Sequence, residues 1–310
     1  MFKEEILKTE LEPEKEKEIE TRIILHFMRH GKKEPEGTRP EYELRLSELG
    51  RSQADAKGRS LNPEARVAVG RGSPRKRTQE TAYRVMLANE NIPPDASLEE
   101  IEKIVEGGLK REGIKFGKKM VADERLNFIS EGPLEKENDE AYNAGRYLPY
   151  IVLDSDRRVI ETGDKQFSSY TRRAANIADL ISEYAQMGKN FNRLVAGTDK
   201  YEKFGNKLER YLSTSQGIAE SFVAKVLEKI QGVEKRDEFV KSVGGGFKET
   251  EGIHIELVNK GKEQNILVDY EVDGKKERVE TDENLLNDII EERKKFDENI
   301  QNLNASSSLP

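Results

Sequence analysis

The chain has 310 residues, with 53 lysines and arginines against 60 aspartates and glutamates, for a net charge of -7. Charged residues (36%) are as frequent as the hydrophobic set (35%), and there is no cysteine. That composition excludes disulfides, thiolate chemistry and cysteine-ligated zinc, offers no run near the ~20 apolar residues of a spanning helix, and shows no basic block for nucleic acid.

Residues 1–20 (MFKEEILKTELEPEKEKEIE) read as a charged N-terminal leader, without the pattern of a signal or transit peptide. Arg22–Met28 (RIILHFM) is almost continuously apolar, as expected of a strand covered on both faces. It runs into Arg29-His30-Gly31 and a polar loop over 32–45. Leu46–Gly58 opens on a Ser47 cap and predicts a helix. Ala65–Val69 predicts a second buried strand, followed by the loop 70–74 and a helix from about Lys76 to Asn89. Asn91–Glu131 is weakly patterned and reads as an irregular insertion over the sheet, suited to covering a pocket and setting specificity.

Ser168–Met187 carries the clearest helical stripe: Tyr170, Ala174, Ile177, Leu180, Ile181 and Tyr184. Two short apolar runs follow, Arg193–Ala196 and Tyr211–Ser213, and then an amphipathic helix over Gln216–Ile230. Ile253/Ile255/Leu257 and Ile266/Val268/Tyr270/Val272 alternate strictly, which predicts a hairpin or meander. A last helix, about Asp282–Ile300, presents Leu285, Ile289, Phe296 and Ile300 as a packing face. Strands alternating with helices give a three-layer α/β/α sandwich with a mainly parallel sheet over 21–260. Residues 261–303 then add a hairpin strand and helix packing on it, and 304–310 form a disordered tail.

Chemistry concentrates at two strand ends. Arg29, His30 and Gly31 stand where the first strand stops, the edge at which open α/β sheets bind ligands. Ser73-Pro74-Arg75-Lys76-Arg77 ends the second strand and opens a helix, whose free N–H groups and dipole suit an anion. Arg77 adds a fork of donors matched to phosphate oxygens. An imidazole, guanidiniums and a helix start on one point imply a phosphoryl ligand. The other histidines read differently: His26 is a packed strand residue and His254 a surface strand residue. Arg75 reads as a helix-surface arginine, and Lys32 and Lys33 as a solvated charge pair.

Three segments together resemble the histidine phosphatase superfamily, the phosphoglycerate mutase-like fold. They are Arg29-His30-Gly31, Leu46-Ser47-Glu48-Leu49-Gly50-Arg51-Ser52-Gln53-Ala54, and Ser73-Pro74-Arg75-Lys76-Arg77-Thr78-Gln79-Glu80-Thr81-Ala82, in the family's order. The resemblance implies that His30 attacks phosphorus and carries a phosphohistidine. Arg29 and Arg77 would hold the phosphoryl oxygens. A carboxylate would protonate the leaving oxygen, and water would then release phosphate. No metal or other cofactor is implied, because arginines supply the positive charge.

The sequence departs from that pattern in two places. Where the family has a second pocket histidine this chain has none; Thr214-Ser215 is the favoured counterpart, which makes Ser215 a phosphate-binding candidate, and Asp199 is the alternative. The family's acid position, in Leu126-Asn127-Phe128, holds phenylalanine, with Glu131 and Glu124 as nearby substitutes and Glu131 the candidate acid. The implied function is a phosphomonoester hydrolase of reduced or altered activity, acting on a phosphorylated small molecule or a phosphoprotein. The alternative is a degenerate pseudophosphatase that binds a phosphate ligand or a protein. A cytoplasmic setting is expected from the absent cysteines, with neither nucleic acid nor membrane as partner. The sequence names no oligomeric state.

Overall fold

The structure, a computed structural model of the chain, describes residues 19–61, 67–90, 92–106, 110–111, 114–116, 121–197 and 205–307. The leader expected over 1–20 therefore lies, up to residue 18, outside the described residues. In chain order, β1 (Glu20–Arg29) leads to α1 (Glu48–Leu61), β2 (Val67–Gly72) and α2 (Lys76–Met86). The segment read as irregular contains α3 (Leu98–Glu106) and the short strands β3 (Lys110–Arg111), β4 (Ile114–Phe116) and β5 (Val121–Ala122). Then come α4 (Glu135–Asn143), the short α5 (Tyr147–Pro149), a π-type turn over Tyr150–Asp154, and α6 (Ser155–Thr162). The 28-residue α7 (Tyr170–Gly197) precedes β6 (Lys207–Thr214), α8 (Ile218–Gln231) and α9 (Val233–Val243). The chain closes with β7 (Gly252–Lys260), β8 (Glu263–Val272), β9 (Lys275–Thr281) and α10 (Glu283–Ser307).

Among the described residues the nine strands form one sheet in the order β3-β4-β2-β6-β1-β7-β8-β9, with β5 also on β2. It is a mixed sheet, which corrects the expectation of a mainly parallel one. β1, β2 and β6 run parallel to each other, whereas β7, β8 and β9 attach to β1 as an antiparallel meander. Burial explains the division. β6 is buried along almost its whole length, with helices over both faces, whereas β7 alternates buried with half-buried residues and keeps one face wet. Parallel strands need two covered faces and antiparallel ones tolerate one. The sheet continues without a break past residue 260, and α10 extends through Ser307 into the segment read as a tail.

One face packs Ile23, Leu25, Phe27, Leu208 and Leu212 beneath α7 and α8. The other packs Met28, Tyr211 and Ala68 beneath α1 and α2 through Ala54, Ala82 and Tyr83. The run Arg193–Ala196, which read as a separate apolar segment, is the last turns of α7. α10 lies along α7, tied by Arg172 to Asp297 and by Lys189 to Glu283. Because β1, β2 and β6 are parallel and in register (Gly72 beside Ser213, Arg29 beside Thr214), their C-terminal ends share one edge. The loops starting at His30, Ser73 and Ser215 therefore leave the sheet side by side.

Candidate active site

His30 is 8% exposed at that edge. The Arg77 Nε–H points at His30 Nε2, 3.1 Å away. A guanidinium N–H only donates, so Nε2 must be the accepting, unprotonated nitrogen. The ring proton then sits on Nδ1 and is donated to the Gly31 carbonyl at 2.7 Å. Burial, and next the charge of Arg77, hold the imidazole well below its ordinary pKa. His30 is thus a neutral imidazole in one tautomer, with the lone pair on Nε2 facing Arg77.

The residues of the two longer motifs hold this loop in place. Gly31 N–H donates to Thr81 Oγ1 at 3.1 Å and Lys32 N–H to Gln53 Oε1 at 2.9 Å. Ser47 caps α1 by accepting from Gly50 N–H at 3.1 Å. Glu80, fully buried, receives Leu46 N–H and Arg51 Nε–H. A Cβ on Gly50 would stand 2.1 Å from the Lys32 carbonyl oxygen, so only glycine permits the His30 loop to lie against α1.

Arg77 (3% exposed) is held by more than His30. Its Nη2 donates to Glu41 Oε1 at 2.6 Å and its Nη1 to the Glu41 carbonyl at 2.9 Å. The same Oε1 accepts from Arg75 Nη1 at 2.8 Å, and Lys33 Nζ stands 3.7 Å from Oε2. A carboxylate on the loop over 32–45 therefore occupies the fork of donors that a phosphate would take. Arg75 is no surface residue: it is 2% exposed, donates to Asn127 Oδ1 and the Phe128 carbonyl, and stacks between the rings of Tyr42 and Phe128. Lys76 N–H, at the helix start, donates to the Tyr42 carbonyl, so the backbone contribution expected of that terminus is partly used inside the protein. Arg29 donates through Nη1 to the Phe247 carbonyl at 2.7 Å, while its buried Nε has no partner.

The remaining sequence candidates divide. His30 N–H donates to the Thr214 carbonyl at 2.9 Å, which extends the parallel ladder by one residue and sets Ser215 abreast of His30. Ser215 is 4% exposed and its hydroxyl has no hydrogen-bond partner. Asp199 lies outside the described residues. Glu131 is exposed, and its carboxylate meets only the neighbouring Ser130 N–H, so no contact ties it to the pocket. Glu124 reaches the site at one remove, accepting from Asn127 Nδ2 at 3.3 Å. The other histidines sit mid-sheet: His26 stacks on Tyr211 and faces His254 at 3.3 Å between the Nδ1 atoms, away from the strand ends.

Sequence reasoning missed Glu41, Arg75, Asn127 and Arg173. Glu41 carries no pattern signal. Arg173 does: it falls on the apolar stripe of α7, between Tyr170 and Ile177, where a charge has to be explained.

Residues 25–128 match the profile of the histidine phosphatase superfamily (branch 1). No curated protein matches the chain. Among solved structures it is similar to a mycobacterial glucosyl-3-phosphoglycerate phosphatase, at 16% identity and a TM-score of 0.43, over 77% of this chain and 91% of that one. It is also similar to a phosphoglycerate mutase from Bacillus anthracis, at 14% identity and a TM-score of 0.41, over 87% and 97% of the two chains. The stretch that is similar to this superfamily carries Arg29, His30, Arg75 and Arg77.

Proposed function

We propose that the chain is a phosphomonoester hydrolase in which His30 Nε2 is the nucleophile. The observation that carries this reading is the tautomer: Nδ1–H is committed to the Gly31 carbonyl, so the lone pair lies on Nε2, next to Arg77. Nε2 attacks phosphorus, the bond from phosphorus to the ester oxygen breaks, and Arg29 and Arg77 stabilise the charge spread over the phosphoryl oxygens. Water then attacks the phosphohistidine and releases phosphate, returning the lone pair to Nε2. Arg29 and His30 stand at the end of β1 and Arg77 opens α2 just after β2, an arrangement that supports the positioning in-line transfer needs.

Reduced activity follows from the proton donor. Glu131 makes no pocket contact, Phe128 stands at the family's acid position, and Glu41 is engaged by two guanidiniums. An alkyl ester, whose leaving oxygen must be protonated, loses the ~100- to 10,000-fold that a placed acid contributes. An aryl phosphate leaves as a stabilised phenolate and does not need it. The substrate is a phosphorylated small molecule or a phosphoprotein. The cysteine-free, highly charged composition supports a reducing, cytoplasmic setting; among the described residues no helix is long and apolar enough to cross a membrane.

One observation favours a second reading, a phosphate-binding pseudophosphatase: Arg77 Nε–H caps the lone pair that would attack. Phosphate release from p-nitrophenyl phosphate decides between them. Release that is lost in His30→Ala supports the hydrolase. Release no greater than that of His30→Ala, with orthovanadate binding retained, leaves the binder.

A further inference from the structure

The guanidinium of Arg173 takes no part in the mechanism above. It is 0% exposed, and among the described residues it forms no ion pair. Nε donates to the Ser168 carbonyl at 2.5 Å, and Nη1 to the Tyr147 hydroxyl at 3.0 Å and the Gln216 carbonyl at 3.5 Å. Nη2 is buried with no partner at all. A buried cation without a counter-charge costs several kcal/mol and persists where something else compensates it.

Its surroundings say where that compensation comes from. Gln216 and Gly217 directly follow Ser215, the residue abreast of His30. Gly217 has φ +82°, and a Cβ there would stand 2.8 Å from Arg173 Nη1, so the turn leaving β6 is folded around this guanidinium. On the other side the Phe128 ring lies between two arginines, with Arg75 Cζ 4.3 Å and Arg173 Cζ 5.5 Å from its centroid. Arg75 shares Glu41 with Arg77, and Arg77 touches His30. Contacts therefore run from Arg77 through Glu41, Arg75 and the Phe128 ring to Arg173, and from Arg173 to Gln216, next to Ser215. The Ser215 hydroxyl, one residue before Gln216, is buried and unpaired.

We propose that Arg173, reaching in from α7, supplies the second cationic wall of the phosphoryl pocket, with Nη2 and the Ser215 hydroxyl receiving a phosphoryl oxygen where the family uses a histidine. The inference rests on the reading of His30 as the centre of a phosphoryl site. It assigns the dianionic phosphoryl group of a phosphomonoester to a cradle of Arg29, Arg77 and Arg173.

Orthovanadate binding, measured by calorimetry on the full chain, tests it with Arg77→Met as the reference. Arg173→Met should weaken vanadate at least tenfold, as Arg77→Met does, and Arg173→Lys should recover part of the loss. Unchanged affinity in folded Arg173→Met, with affinity lost in Arg77→Met, overturns the inference alone. Unchanged affinity in both overturns the phosphoryl site, and the inference with it. Should Arg173→Met fail to fold, a structure of the unsubstituted chain with vanadate gives the answer directly. A vanadate oxygen within hydrogen-bond distance of Nη2 supports the proposal; vanadate at His30 with Nη2 turned away refutes it.

Discussion

Replacing Glu41 by glutamine should tighten phosphate binding. Its carboxylate contacts Arg77 at 2.6 Å and Arg75 at 2.8 Å, and any phosphate entering the fork of Arg77 must displace it. Both arginines are buried, but the Glu41 side chain is 44% exposed, so each pair is worth no more than about 0.5–1 kcal/mol after screening. Two such pairs amount to about 1–2 kcal/mol, or roughly 5- to 30-fold in a dissociation constant. Glutamine keeps the shape and a neutral acceptor, so the pocket stays assembled while the competing charge is removed. Calorimetric titration of Glu41→Gln with inorganic phosphate should therefore give a Kd lower by about that factor. The gain should shrink with added salt, because the displaced pairs are half in solvent. A Kd equal to or higher than that of the unsubstituted chain would show that Glu41 supports the bound anion instead of competing with it.

Two further outcomes bear on the scaffold. His26 is pushed down to about 3, by burial first and then by His254, and His30 is lowered by burial and Arg77. Both are held neutral in the fold but charge freely in the unfolded chain, so their contribution is complete above about pH 6.5 and is lost as pH falls below it. The loss is about 1.4 kcal/mol per pH unit for each histidine, continuing for His26 to about pH 3. Urea unfolding between pH 7 and pH 4.5 measures the slope. His26→Phe should reduce it by one histidine's share, and an unchanged slope refutes the assignment. Gly50→Ala sets a Cβ 2.1 Å from a backbone oxygen that cannot swing away, and should cost about 3 kcal/mol or more in chemical denaturation; a cost under about 1 kcal/mol means the His30 loop is not clamped as described.

How much of this could be read from the sequence depended on whether a residue's role was local. The three motif segments singled out Arg29, His30 and Arg77, and strand and helix periodicity located β1, α2, α8 and β7. Arg75 was misread because helical spacing says nothing about what covers a helix start; here Tyr42 and Phe128 do, from 33 positions before and 53 after. Glu41 lies in a loop without pattern, and its role exists only once the loop folds back onto Arg77. Ser215 could be aligned but not understood, since its meaning depends on the β1–β6 register. The mixed sheet was missed for a related reason: alternation identifies a half-wet strand, yet not the strand it joins. Arg193–Ala196 shows the opposite failure, a short apolar run that length alone assigns to helix or strand.

The strand order also decides when in the life of the chain this pocket can exist. β1, which leads directly into His30, lies near the beginning of the sequence, but its two neighbours, β6 and β7, are made far later; Arg29 meets Phe247 across 218 positions and His26 meets His254 across 228. Such long loops are slow to close, so folding is governed by distant pairings. Until β7 emerges from the ribosome, one edge of β1 is an unpaired apolar strand, open to pairing with another chain. A truncation before Gly252 would thus keep all three motif segments, yet leave β1 with that edge bare.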